Sequence, residues 1–418
     1  MKKAIKSFAK VRRGASPRPI SDSKYFGGEV GWIRISDVTK SNKFLNKTVQ
    51  YLSALGETKS VRVDKGDLIM SICGTIGRPI IINIPACIHD GFVQFYDIKN
   101  TDNEFLYYSL QFAENDLKNH GQSGTQVNLN TTIVGNYKIF YPNKRTQTQI
   151  AKILSTIDTA IEQTKALIAK HERIKTGLMQ DLLTKGIDEA GNIRSEQTHE
   201  FKDSPLGRIP KEWEVKKLKR ICNVLVSNVD KKSIASQDKI RLCNYMDVYS
   251  NEYIYEKTDY MEATASKNQI KNFRLRKEDV IITKDSETPN DIAVPAVSMF
   301  DFKDLICGYH LAILRPNTKK IKGVFLMNQL LLKSVNKHFS KLANGSTRFG
   351  LTLGVIYTAP IPFPKNLEEQ INIINIVKNK DNAIRALKAE LSKLLGLKRG
   401  MMSDLLTGKV SVVSLLSE

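Results

Sequence analysis

The chain repeats itself. Lys175 to Thr184 reads KTGLMQDLLT and Lys398 to Thr407 reads KRGMMSDLLT, so Lys, Gly, Met, Asp, Leu, Leu and Thr recur in register at an offset of 223 residues (404 − 181). The same offset carries Asp158, Ala160 and Ile161 onto Asp381, Ala383 and Ile384. Around these identities the apolar residues form a narrow stripe: Ile150, Leu154, Ile157, Ile161 and Ile168 in one copy, and Ile373, Val377, Ile384, Leu387, Leu391 and Leu394 in the other. That spacing puts one seam along a helix, the pattern of a helix packed lengthwise on another. Neither stretch contains a proline, so each predicts a rod of roughly 60 Å at about 1.5 Å per residue. A helix lying alone on its own domain would show such a seam too, but a seam that recurs makes the two rods natural partners. The residues expected to pair them are Ile157, Ile161, Leu167, Ile168, Ile384, Leu387 and Leu391.

The stretches before each helix repeat in pattern more than in identity. KGDLIMS (Lys65 to Ser71) returns as KEDVIIT (Lys277 to Thr283), GQSGTQVNLNTTIV (Gly121 to Val134) as ANGSTRFGLTLGVI (Ala343 to Ile356), and IFYP as IPFP. Ile33-Arg34-Ile35 followed by Asp37-Val38 is echoed by Ile240-Arg241-Leu242 followed by Asp247-Val248. Within the first copy, VRRGASPRPI (Val11 to Ile20) reads as a basic irregular loop. GWIRISDVTK (Gly31 to Lys40) alternates as a half-buried strand, and Val61 to Pro85 reads as two strands around a Gly-rich corner. That corner, Gly74-Thr75-Ile76-Gly77, has the GxxG spacing of a KH loop but lies between strands rather than helices, which argues for a tight turn. A helix is expected from about Glu104 to Asn119. Lys185 to Pro205 is polar and reads as a linker.

The expected organisation is α+β: two mixed α/β domains separated by two long helices that pair as an antiparallel coiled coil, with an internal pseudo-twofold. In residues, this gives a first domain at 1–144, a central helix at 145–186, a linker at 187–204, a second domain at 205–366, a C-terminal helix at 367–408 and a tail at 409–418. The 418 residues suffice for such domains to bury real cores.

Lys plus Arg number 64 against 43 Asp plus Glu, a formal charge of +21. A surplus of this size is the electrostatic footprint of a polyanion binder. No apolar span of about 18 residues and no secretory h-region is present, which disfavours a membrane partner and predicts a cytoplasmic protein. Five scattered cysteines without a CxxC pair read as small buried or half-buried residues of a reducing compartment. No His/Cys/carboxylate grouping has metal-ligand spacing. GxxxxGK[ST] and GxGxxG are absent, as is the (Asn/Asp/Ser)-Pro-Pro-aromatic tetrapeptide of an amino-methyltransferase, and no nuclease carboxylate cluster stands out. The chain reads as a binder with no catalytic residues and no metal.

Taken together, SPLGRIPKEWEVKKL, KGDLIMSICGTIG, SGTQVNLN leading to IFYP, and the doubled helix ending GLMQDLLTKG and GMMSDLLTGK resemble the DNA specificity subunit of Type I restriction-modification systems, over essentially the whole chain. The resemblance implies two target-recognition domains, each reading half of a bipartite target in double-stranded DNA, and helices that set the spacer between the halves. It also implies partners: two modification subunits bringing S-adenosylmethionine and adenine methylation, and ATP- and Mg-dependent restriction subunits, so that no cofactor is expected on this chain. In one respect the sequence departs from the pattern, because the first copy begins at Met1 with almost nothing matching SPLGRIPKEWEV of the second.

Base reading calls for Arg, Lys, Asn and Gln on loops at groove edges, whereas phosphates accept almost any Lys or backbone N–H. The candidates in the first domain are Arg12, Arg13, Arg18, Lys24, Arg34, Lys40, Lys43, Arg78, Gln122, Ser123, Gln126 and Asn128. Those in the second are Lys231, Lys232, Arg241, Lys267, Lys271, Arg274, Lys284 and Arg348. Gln126 and Arg348 lead because they occupy equivalent places in the repeated glycine loop. Two alternatives remain open at this level: a self-sufficient methyltransferase or nuclease with drifted motifs, and a coiled-coil scaffold that binds nucleic acid.

Overall fold

The computed structural model describes residues 1–119, 128–257 and 259–412. It divides into two compact units, Met1–Leu167 with Leu387–Glu418, and Ile168–Ala386. Both long helices, Lys144–Lys185 and Leu367–Leu405, therefore contribute one half to each unit, a division that differs from sequence-expected boundaries drawn at the helix ends.

The two units are built alike. In the first, a five-stranded sheet runs Lys10–Arg13, Phe92–Tyr96, Leu68–Ser71, Pro79–Ile82, Phe44–Leu45, beside a four-stranded sheet Gln50–Leu52, Phe26–Ile33, Ala86–Ile88, Val61–Val63. In the second, the five-stranded order is Cys222–Val226, Leu311–Pro316, Val280–Thr283, Pro295–Ser298, Tyr253–Ile254, and the companion sheet is Met261–Ala265, Asp238–Cys243, Leu305–Cys307. Even the exceptional parallel pairings correspond, Phe44–Leu45 on Ile81–Ile82 matching Tyr253–Ile254 on Val297–Ser298. The central strands Leu68–Ser71 and Val280–Thr283 are buried at every position. They read as continuous apolar runs because both of their faces are covered.

Each long helix starts and stops by the same chemistry. Asn143 Oδ1 accepts from Thr146 N at 2.9 Å, and its counterpart Asn366 Oδ1 from Glu368 N at 2.8 Å, the capping that asparagine supplies to unpaired first-turn amides. Just past the ends, Gly186 (φ +64°) and Gly408 (φ +75°) take the left-handed conformation that ends helices and favours glycine. One turn inside each helix, a fully buried glutamine ties it to its own domain. Gln147 donates to Pro142 O (2.9 Å) and accepts from Asp102 N (2.9 Å); Gln370 donates to Pro364 O (3.0 Å) and Lys320 O (2.9 Å) and accepts from Lys322 N (2.9 Å).

Within each unit the helix segments run antiparallel. In the first, Ile150, Ala151 and Leu154 share a core with Met402, Leu405, Leu406 and Val412, and Lys398 Nζ lies 2.6 Å from Asp158 Oδ1. In the second, Leu182 and Leu183 share a core with Ile373 and Val377, and Lys175 Nζ lies 2.6 Å from Asp381 Oδ1. These ion pairs are one pair seen twice, because Lys175 and Lys398, like Asp158 and Asp381, are related by the repeat. Ile157, Ile161, Ile168 and Ile384 are buried, while Leu387 and Leu391 are half-buried. Leu167 does not join them: it is 44% exposed, because the position beside Ile168 turns away from the stripe that Ile168 occupies.

Three further expectations are corrected. Of GWIRISDVTK only the first residues extend the strand Phe26–Ile33; Ile35–Lys40 is a helix, since Asp37 Oδ2 accepts from Arg34 N at 2.9 Å and closes its first turn. Its counterpart uses Asp247 and Asn244 N (2.8 Å), so Arg34 corresponds to Asn244 and not to Arg241. VRRGASPRPI begins as a strand, with Val11 to Arg13 paired to Val93 to Phe95. The stretch from Lys185 to Pro205 is packed onto the second unit: Ile187 is buried, and Arg194 meets Glu369 at 2.5 and 3.2 Å, where Trp213 Nε1 also donates to Glu369 (3.1 Å).

Candidate nucleic-acid interface

In the first unit, arginines gather along the edge strand Lys10–Arg13 and the loop after it. Arg12 Nε donates to Gln94 Oε1 at 2.7 Å and lies over the Tyr96 ring, Arg13 Nε donates to Asp90 O at 2.7 Å, and Arg18 pairs with Asp90 at 3.0 Å, all three exposed. Burial works to raise the Asp90 carboxyl, but the Ser16 hydroxyl and the charges of Arg18, His89 and Arg13 outweigh it and hold the group below the usual carboxylate range. Arg34, half-buried, stacks over Trp32 at 4.6 Å, and Lys24 pairs with Asp22. Lys40 and Asn128 are exposed. Gln122, Ser123 and Gln126 lie outside the described residues.

Two candidates of this unit serve the fold. Lys43 is buried, its ammonium meeting Glu104 and Ser155 Oγ (3.1 Å). Buried in this way, it ties the sheet to the long helix and has no face to offer a phosphate. Arg78, half-buried, donates to Ser41 O at 2.9 Å.

In the second unit, Lys231, Lys232, Lys267, Lys271, Arg274 and Arg348 are exposed. Lys284 is half-buried, 3.6 Å from Asp285. Arg241 is committed elsewhere: it forms a fork on Asp304 (2.7 and 2.9 Å) and also reaches Glu256, and these bonds, first to Asp304, raise its pKa further. A guanidinium so saturated is a structural brace.

The structure brings Arg348 and Lys231 together on one cleft of about 440 Å³, with Tyr245, Tyr249, Asp285, Glu287, Asp291 and His310. Arg348 arrives there on a loop tied at its neck, where Asn344 and Gly350 exchange backbone bonds of 3.0 and 2.8 Å and Asp285-Ser286 pairs with Phe349-Gly350. Gly345 (φ +139°) is required in that loop, since a Cβ would stand 1.9 Å from Arg348 O. The loop is anchored as in the first unit: Leu351 N donates to Lys284 O (2.9 Å) where Leu129 N donates to Ile72 O (3.0 Å). Asp285 Oδ2 is 2.7 Å from His310 Nδ1, Tyr249 OH donates to Asp291 at 2.7 Å, and the Tyr245 and Tyr249 rings stack at 5.5 Å. The carboxylates and tyrosines of this cleft escaped sequence reasoning, which sought only cations and amides. The available signal was the Tyr245/Tyr249 spacing of one helical turn.

Among the described residues no group of three or more His, Cys, Asp or Glu could hold a metal ion, and no helix is long and apolar enough to cross a membrane. The cysteines are free thiols.

Several known proteins are similar to this chain. The MjaVIII specificity subunit of a Type I restriction enzyme from Methanocaldococcus jannaschii is 27% identical over 374 residues, spanning 85% of this chain and 82% of that protein. The MjaIX specificity subunit of the same organism is 24% identical over 345 residues, 80% and 76% of the respective lengths. Among solved structures, the Type I restriction-modification S subunit from M. genitalium has the same fold (TM-score 0.56, 17% identity, 97% and 96% coverage). The HsdS subunit from Thermoanaerobacter tengcongensis superposes with a TM-score of 0.50 at 15% identity over 98% and 97%. A family profile, Type I restriction modification DNA specificity domain, matches residues 1–173 and 210–395. Since those matches take in both copies of the domain-and-helix unit, the chain belongs to the Type I restriction modification DNA specificity family.

Proposed function

We propose that this chain is the non-catalytic DNA specificity subunit of a Type I restriction-modification enzyme. Each unit reads one half of a bipartite duplex target, and the paired helices fix the number of unread base pairs between the halves. Two modification subunits, carrying S-adenosylmethionine, methylate adenine at the sites so chosen, and restriction subunits supply the ATP- and Mg-dependent cleavage.

The observation that carries this reading is the contrast between what the two copies keep and what they change. The asparagine cap and the glutamine tie recur in kind and the Lys–Asp pair recurs atom for atom, whereas the exposed groups differ. The first unit presents an arginine-lined edge, and the second a cleft of mixed charge. A duplicated scaffold with divergent faces suits two different half-sites in one asymmetric sequence. The +21 charge supplies the affinity for duplex that does not depend on sequence.

The test is reconstitution with the cognate modification subunit, followed by sequencing of methylated DNA. One bipartite motif, lost when this chain is left out, is the expected result; methylation that proceeds without it would end the proposal. A self-sufficient enzyme would instead bind S-adenosylmethionine, or cut DNA with Mg²⁺, as the isolated chain.

A further inference from the structure

The cleft of the second unit contains eight charged or titratable side chains, and most of the acidic ones are already engaged. Asp285 faces His310, and Asp291 accepts from Tyr249. Glu287, Arg348 and Lys231 are exposed, and among the described residues their side chains have no hydrogen-bond or ion-pair partner. Glu287 and Arg348 each lie one residue beyond the short ladder that pairs Asp285 with Gly350 and Ser286 with Phe349. Both line the same cleft, yet no ion pair joins them. A carboxylate and a guanidinium are thus brought to one cleft from the two strands of one ladder, the guanidinium on a loop whose neck is closed by two backbone bonds, with both charges unspent.

From this juxtaposition, and resting on the reading of the chain as a specificity subunit, we infer that Arg348 and Glu287 together read one G·C base pair in the half-site recognised by the second unit. The chemistry matches edge for edge. In the major groove guanine offers two acceptors, N7 and O6, to a bidentate arginine, and the paired cytosine offers its N4 amino donor to a carboxylate. An A·T pair would set the adenine N6 amino donor near the guanidinium, which has only donors, and would give the carboxylate nothing to accept from the thymine O4. Lys231, on the same cleft, is placed to meet a phosphate and so to position without specifying. Loss of one good bidentate contact weakens discrimination at its base by about 10- to 100-fold.

The experiment compares the full chain with Arg348→Ala and Glu287→Ala, each assembled with the modification subunits, by sequencing the DNA methylated in a randomised duplex pool. The expected result is that both substitutions make the same single G·C position degenerate, in one half of the motif only, with preference there falling about 10- to 100-fold. Uniformly weaker methylation with an unchanged motif would make Arg348 a phosphate contact and overturn the inference. Degeneracy at two different positions would overturn the shared base pair. Should Arg348→Ala abolish methylation altogether, Glu287→Ala alone decides: a motif that keeps every position sinks the inference, and one opened at a G·C pair upholds it. Wild-type methylation that does not require this chain would instead refute the specificity role itself.

Discussion

At the scale of single residues, the groups that hold this molecule together are polar and buried. Gln370 illustrates why. It is fully buried and serves three backbone groups, each of which costs about 1–3 kcal/mol if left unpaired away from water. Gln370→Ala is therefore expected to lower stability by about 2–4 kcal/mol in denaturant unfolding, more than an exposed substitution such as Lys232→Ala. The cysteines give a pH prediction. Burial pushes the Cys87 thiol up to about 11 and Cys222 up to about 12, and raises Cys243 and Cys307 as well. Their neutral forms dominate at pH 8, so alkylation followed by mass spectrometry should label the half-buried Cys73 first and the other four only on unfolding. Because these acids titrate later in the folded chain than in the unfolded one, the stability they contribute is complete below the ordinary thiol range. It fades as pH climbs from there through about 11 and 12. The buried or half-buried character of the cysteines was legible in the sequence, but the role of Gln370, there one more polar residue near a helix start, was not. Burial depends on what arrives from elsewhere in the chain.

At the scale of elements, the long helices were legible because their periodic stripe and their repeated identities are local facts of sequence. Their pairing through one Lys–Asp contact in each unit was not, since nothing local says that Lys398 reaches Asp158. That pair is mostly buried, with side-chain exposures of 16% and 21%, and Tyr108 OH also donates to Asp158 at 2.8 Å. Lys398→Asp or Asp158→Lys alone is expected to destabilise, and the double exchange to recover a coupling of about 1–2 kcal/mol in a double-mutant cycle read by denaturant unfolding. Additive losses would show that the contact contributes nothing specific. The short helix Ile35–Lys40 was misread as strand for an instructive reason: six residues are too few for a 3.6-residue period to beat a two-residue one, and a single aspartate bond decided the outcome. The stretch after the first long helix looked like a linker because its anchors, Glu369 and Trp213, lie far along the chain. Of the candidate interface, loops and cations were visible in the sequence; Lys43 and Arg241 proved to be braces because their carboxylate partners are brought in by the fold.

At the scale of the whole molecule, charge and chain path make separate predictions. A specificity subunit that grips phosphates with lysine loses affinity for duplex steeply as salt rises, by about 0.9 in the logarithmic slope for each phosphate contact. Lys40→Ala, at an exposed lysine without a partner among the described residues, should reduce that slope by about one if it touches the backbone, while leaving the methylated motif intact. Binding titrations of the assembled enzyme across salt concentrations would measure it. The path of the chain has a different consequence. The first compact unit is assembled from two stretches separated in the chain, with Met402, Leu405, Leu406 and Val412 filling the same core as Phe105, Leu106 and Ile150, whereas the second is one uninterrupted stretch between them. On the ribosome, then, the first-emerging part of that unit must wait with an unfinished interior until Met402 to Val412 have been made, and the second unit can close before it. A stop codon just before Leu387 would cripple the unit whose larger part is encoded some two hundred codons upstream, while leaving the second unit's own stretch complete.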